Sequence, residues 1–265
     1  YKLVTGVQTC ALPIFSMSMQ LAPAKDDEKP AFKPPEAGID LSIPVTAAKP
    51  SGTTVLTGAR IVTMANQQGG VIENGTIVIE GNRITMIGQT GAITVPAGSR
   101  TIDLAGKTII PGMIDAHAHG AQGDDDIIPN QNWSAQAHLA LGVTTVFDPS
   151  NAASEAFVSE EMQRTGLILG PRTFSTGEIV YGARSRGTLN DISDYDDALA
   201  HVRRLKVQGA AGIKNYNQPR RNQRQQVVAA SIAENIQVVA EGASLFAQDI
   251  ALIADGNTAL EHNIP

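Results

Sequence analysis

From Met113 onward, short β-branched runs alternate with longer amphipathic ones. This alternation constrains the fold more than any other feature of the 265-residue chain. Strands are predicted at 113–118, 143–147, 172–175, 211–215, 236–240 and 258–261. Helices are predicted at 132–141, 154–165, 194–208, 220–234 and 244–254. A strand–helix repeat joins parallel strands through right-handed crossovers. Strands apolar on both faces suit a barrel or a doubly wound sheet. Upstream, Thr53 to Thr108 alternates apolar and polar residues, and Ile77, Ile79, Ile84 and Met86 flank a hairpin turn at Gly81-Asn82.

The first strand of the repeat carries the sharpest motif, PGMIDAHAH at Pro111 to His119. Residues two apart on a strand share a face, so Asp115, His117 and His119 are expected together. Two neutral imidazoles at the end of a rigid strand make half a site for a divalent metal. Histidines at strand C-terminal ends favour the barrel, whose chemistry sits at that face.

Composition narrows the rest. A 42% hydrophobic fraction can fill a sizeable core, and net charge is −6. No basic stripe with interleaved aromatics appears, so nucleic acid is not an expected partner. No apolar run is long enough to cross a bilayer, so no membrane partner is expected. Residues 4–14, VTGVQTCALPI, match the translation of a common sequencing-library adapter, and residues 1–14 are read as an artefact. Cys10, the one cysteine, falls inside that stretch, so neither a disulfide framework nor a thiolate metal site is expected. Residues 15–52, rich in Pro, Lys, Ala and Asp, read as a linker.

TVLTGARIVTM, GTIVIEGNRITMIG, PGMIDAHAH, GVTTVFDPS, GIKNYNQPRR and ALEH together resemble the amidohydrolase superfamily, in its imidazolonepropionase-like and prolidase-like branch. The resemblance runs from about Thr53 to the end. It implies an α/β fold: an incomplete (β/α)8 TIM-type metal-dependent hydrolase barrel over 111–265, with about six strands present, and a small N-terminal β-sandwich lobe over 53–110. In the family both chain ends contribute strands to that lobe. A full barrel needs about eight strands and 250 residues, so the chain is read as a fragment. The resemblance also allows a β-propeller upstream in the parent chain.

The resemblance implies a metal site of His117, His119, Lys214, Glu241 and His262, with Lys214, Glu241 and His262 also catalytic. Lys214, in GIKNY, would react with carbon dioxide to give a carbamate bridging metals, which needs a neutral amine. Otherwise it is a lysine reaching solvent from a strand end. Glu241, in VVAEG, stands where the family usually has histidine. It can ligate metal, orient a histidine, bind a substrate amine, or merely open a helix. His262, in ALEH, matches a strand-six histidine, and Glu261 is expected to face away from it. The family's strand-eight aspartate has no counterpart here. The implied cofactor is one or two divalent ions, with zinc suited to the donor set.

Weaker candidates are Asp148 in VFDPS, which lines the mouth or simply starts a turn, Arg172 and Tyr181 for holding a substrate carboxylate, and Tyr216 and Arg220 for binding substrate, Arg220 through a bidentate carboxylate contact. Arg221 shares the last role with Arg220. Asp124 to Asp126 reads as a solvated loop or cap. His138 and His201 are read as non-ligands. The expected activity is hydrolysis of carbon–nitrogen bonds in small amides, cyclic amides or dipeptides. The alternatives are an Xaa-Pro dipeptidase, a non-catalytic binding protein on the same scaffold, or an inert truncation. The resemblance and the lack of other cysteines lean towards a periplasmic or secreted location, and oligomeric state is left open.

Overall fold

A computed structural model describes residues 51–65, 70–120, 122–124, 127–181, 189–216, 220–242, 245–262 and 264. The expected artefact (1–14), nearly all of the linker (15–52), and Asp125 and Asp126 lie outside them. The described residues are α/β with three sheets. None of their helices is long and apolar enough to cross a membrane.

The first sheet is mixed. β1 (Thr53–Val62), β2 (Val71–Glu80) and β3 (Arg83–Gln89) form an antiparallel meander. Glu80 pairs with Arg83, leaving Gly81-Asn82 as the turn predicted from sequence. β4 (Arg100–Asp103) and β5 (Thr108–Ile109) run parallel to β1 on its other side. Alternation along β1 buries Val55, Ala59 and Ile61, and the last two pack with Ile77. Within the described residues this is one hydrogen-bonded sheet, where a two-layer sandwich was expected.

The strand–helix repeat follows. β6 (Met113–Asp115), α1 (Trp133–Ala140), β7 (Val143–Asp148), α2 (Ala153–Arg164) and β8 (Arg172–Ser175) give a parallel sheet in sequential order. Next come β9 (Ile179–Tyr181), β10 (Leu189–Asp191), α3 (Tyr195–Gln208), β11 (Ile213–Asn215), α4 (Arg221–Ala233), β12 (Val238–Ala240), α5 (Phe246–Ala254) and β13 (Ala259–Leu260). Their strands pair in parallel in the order β10-β9-β11-β12-β13.

The two parallel sheets meet where β8 bends into β9. Ser175 O accepts from Ala211 N at 2.8 Å, just before β11. The bend turns on Gly177, at φ +68°. A Cβ there would lie 2.9 Å from Leu205 Cδ2 and 3.1 Å from Phe157 Cζ. Only glycine meets both demands, the left-handed backbone and the close seat on α2 and α3. Phe157, Val180, Val202, Leu205, Ile213 and Val227 form the core around it.

α4 and α5 are tied by charge. Asp255, capping α5, accepts from Arg221 Nη2 at 2.7 Å and Nε at 3.1 Å, and from Gln225 Nε2 at 2.9 Å. The Arg221 hydrogen bond, more than burial, holds the Asp255 carboxyl below the ordinary carboxylate range. A depressed folded-state pKa adds stability above the unfolded-state value and loses it as pH falls through the folded value. Asp255→Asn should therefore lower the thermal midpoint at neutral pH. The gap from the unaltered chain should close once pH drops below the carboxylate range. A gap independent of pH would show that charge is not the source.

Candidate functional site

Parallel strands end on one side, and the candidate residues follow those ends. His117 and His119 come two and four residues after β6. Asp148 closes β7, Lys214 lies within β11, Glu241 follows β12, and Glu261 and His262 follow β13. Ala118 N donates to Phe147 O at 2.9 Å, so the histidine segment runs along the end of β7. Asp115, expected on the same face, instead accepts from His117 N at 3.1 Å and fixes that backbone.

The ends of β6 and β13 meet. In a flat sheet, five neighbour spacings would separate them by roughly 24 Å. The His117 and His262 ring centroids are 4.9 Å apart, so the strands curve round. His117 and His119 rings stand edge to face at 4.8 Å, with their Nε2 atoms 3.1 Å apart. His119 Nδ1 lies 3.2 Å from Asp148 Oδ1, and His117 Nδ1 is paired with Glu261 Oε2. Glu241 links the far side: Oε2 is 2.6 Å from Lys214 Nζ and Oε1 is 2.6 Å from His262 Nε2.

Burial sets the electrostatics. Lys214 is 1% exposed, the largest of the fully buried side chains. Desolvation pushes its ammonium below the ordinary lysine range, against the pull of Glu241. At Glu241 burial pushes the other way, but Lys214 and His262 win and the carboxyl falls. Both values fall, with opposite effects on charge: the lysine loses more hydration than one carboxylate returns, while Glu241, with 17% of its side chain exposed, is held in its charged form. Lys214 Nζ sits off the hydrogen-bond axis of Glu241 and has no directed partner. Burial first, then the positive charges of Lys214, His119 and His262, lower His117 and favour its neutral ring.

The donor set suits a divalent metal ion. Two imidazole nitrogens on one tetrahedral ion at roughly 2.0–2.1 Å would stand about 3.3 Å apart, close to the 3.1 Å seen. The buried, undirected Lys214 amine points to the same conclusion. Among the described residues, though, no three His, Cys, Asp or Glu groups are arranged as ligands of one ion. Here the carboxylates bond to imidazoles.

Sequence reasoning located part of this. His117, His119, Lys214, Glu241 and His262 converge. Tyr181 and Tyr216 close β9 and follow β11, edge to face at 5.9 Å on the same side of the sheet. Arg220 caps the start of α4 and is exposed. Arg172 does not join them. It opens β8 and pairs with Thr145, three residues before the Asp148–Ser175 pair, so it lies at the opposite strand end. Asp124 bridges to Ile127 in a loop. His138 bonds to Ser134 O within α1, and His201 belongs to α3.

Two carboxylates join the cluster. Asp148, taken as a weak candidate, is fully buried and faces His119. Glu261, expected to face away from His262, turns into the cluster. The expectation rests on strand alternation, but the strand ends at Leu260 and His262 has φ +63°. Gly242 permits this turn: a Cβ there would lie 2.4 Å from Glu261 O.

No family model matches the chain. It is 32% identical over 111 residues to the imidazolonepropionase of Streptomyces avermitilis, covering 40% of this chain and 26% of that one. It is 32% identical over 163 residues to the imidazolonepropionase of Vibrio cholerae serotype O1, covering 58% and 40%. The chain thus spans between about a quarter and two fifths of these curated relatives. Its fold resembles a Xaa-Pro dipeptidase with bound methionine in its active site (TM-score 0.63, 20% identity, 80% of this chain and 62% of that one). It also resembles a solved amidohydrolase (TM-score 0.63, 20% identity, 79% and 60%).

Gly242→Ala should displace residues 261 and 262 and destabilise the chain by about 1–3 kcal/mol. The readout is the denaturant unfolding midpoint. An unchanged midpoint would mean that the strand end yields freely.

Proposed function

We propose, on the premise that the chain belongs to the amidohydrolase superfamily, that its parent is a metal-dependent hydrolase of carbon–nitrogen bonds in small amides, with cyclic amides the first choice. The convergence of His117, His119, Lys214, Glu241 and His262 beyond parallel strand ends carries this reading. The meeting of the β6 and β13 ends supports an incomplete (β/α)8 barrel over 111–265. The mixed sheet over 53–110 supports a separate N-terminal lobe.

In this reading His117, His119, Lys214, Glu241 and His262 hold one or two divalent ions, with zinc suited to their nitrogen and oxygen donors. The metal, when bound, polarises the scissile carbonyl and makes water acidic enough to act near neutral pH. His117 and His119 present Nε2. His262 donates its Nε2 proton to Glu241 Oε1 and keeps Nδ1 as its lone-pair atom. Burial favours the uncharged form of the Lys214 amine, and that form can add to carbon dioxide: nitrogen bonds to carbon as one C=O π pair moves to oxygen, an N–H proton passes to solvent, and a carbamate results. Glu241 stays ionised between Lys214 and His262 and is placed to ligate, to hold His262, or to meet a substrate amine. Tyr181 and Tyr216 flank the substrate approach. Cleavage of a dipeptide ending in proline is the second reading, favoured by Arg220, an exposed guanidinium before α4 suited to a terminal carboxylate.

Full-length protein assayed with a cyclic amide and an Xaa-Pro dipeptide should hydrolyse one of them and lose activity on chelation. His117→Ala with His119→Ala should lose most bound metal and essentially all turnover. Lys214→Ala should do nearly as much, with partial rescue by short carboxylic acids that fill the vacated space. Glu241→Gln separates its roles: ligation predicts weaker metal affinity, whereas amine binding predicts a raised KM with metal unchanged. Full metal content and normal turnover in every variant would sink the assignment.

A further inference from the structure

Both histidines of the HAH pair are gripped from behind. Asp148 Oδ1 meets His119 Nδ1 at 3.2 Å, and Glu261 Oε2 meets His117 Nδ1. An ionised carboxylate only accepts hydrogen bonds. Each contact is therefore satisfied when the ring proton sits on Nδ1, which leaves Nε2 as the lone pair. The two Nε2 atoms nonetheless stand 3.1 Å apart. Two lone pairs at that distance repel unless a positive charge lies between them. Between two neutral rings, a direct N–H···N bond does not resolve the conflict. The donating ring would then turn a bare Nδ1 towards a carboxylate.

The two carboxylates are held independently. Asp148 is fully buried, and its Oδ1 also accepts from Ser150 N at 3.1 Å. Its Oδ2 accepts from Asn151 Nδ2 at 2.8 Å. The same Asn151 amide donates to Gly120 O at 2.8 Å, tying Asp148 to the chain just beyond His119. Glu261 N donates to Ala240 O at 2.8 Å, and the missing side chain at Gly242 lets its backbone close in. One brace comes from β7, the other from the end of β13.

We propose that Asp148 and Glu261 are positioning residues that lock His119 and His117 in the Nδ1–H tautomer and aim both Nε2 lone pairs at a single divalent cation, with Asn151 holding Asp148 in place. This rests on the metal-dependent reading above. Outer carboxylates of this kind orient a ligating imidazole and raise its basicity. Neither residue need touch the ion or substrate to act.

The test uses the full chain, metal-free and above the imidazole titration range, with 15N-labelled histidine. Long-range proton–nitrogen spectra report which ring nitrogen carries the proton. Zinc affinity comes from competition with a chromogenic chelator. In the unaltered chain both rings should be protonated at Nδ1. Glu261→Leu should release His117 from that tautomer, leave His119 unchanged, and weaken zinc binding about 10- to 100-fold. Glu261→Gln, whose carbonyl still accepts, should keep the His117 tautomer and most of the affinity; a merely structural role for Glu261 would not separate these two variants. Because Asp148 is a buried hub, Asn151→Ala serves in its place. It should disturb His119 alone and weaken zinc about 10-fold. Protonation at Nε2 in either ring of the unaltered chain overturns the proposal, as does Glu261→Leu with tautomer and zinc affinity unchanged. Both tautomers as stated but no zinc uptake would support the lock and defeat the metal-dependent reading instead.

Discussion

The site depends on the curvature of a parallel run of strands. Parallel strands all end on one side, but that alone would spread six ends across a wide sheet. Curvature brings the first and last ends together, so that His117 meets both Glu261 and His262. The bend at Gly177, seated between Leu205 and Phe157, is where the strand run changes direction. Helices α2, α3 and α4 hold that bend through one apolar core, and the polar cluster lies beyond the strand ends.

Within the cluster, opposite charges are interleaved. Basic groups at 117, 119, 214 and 262 alternate with carboxylates at 148, 241 and 261. Burial deepens from the half-exposed His119 and His262 towards Lys214 and Asp148. The deepest amine is thus driven towards neutrality while Glu241 beside it is held in its charged form. A buried amine without its proton is a nucleophile as well as a ligand.

Much of this was legible in the sequence because it follows from periodicity. The strand–helix repeat after Met113 and the hairpin at Gly81-Asn82 read directly from alternating residues, and each observed helix lies within two residues of its expected bounds. β9 and β10 went unseen. The Glu261 expectation failed for a physical reason. Alternation speaks only for extended backbone, and Glu261 lies past the last strand residue, where the chain turns left-handed at His262. Arg172 was misplaced although its strand runs over the expected 172–175: as the first residue of a parallel strand it lies at the end opposite the cluster.

The Glu241 bridge has a further consequence. One carboxylate, just past the strand between them, serves both Lys214 and His262, which do not depend on each other directly. Removing either partner frees Glu241 to swing wholly to the other, so the two positions communicate through a shared acceptor. Paired substitutions at 214 and 262 are then non-additive: once the first is made, the second acts in a changed electrostatic setting. Mutational drift at one of them would alter what is tolerated at the other, and Glu241 would set the terms of that exchange.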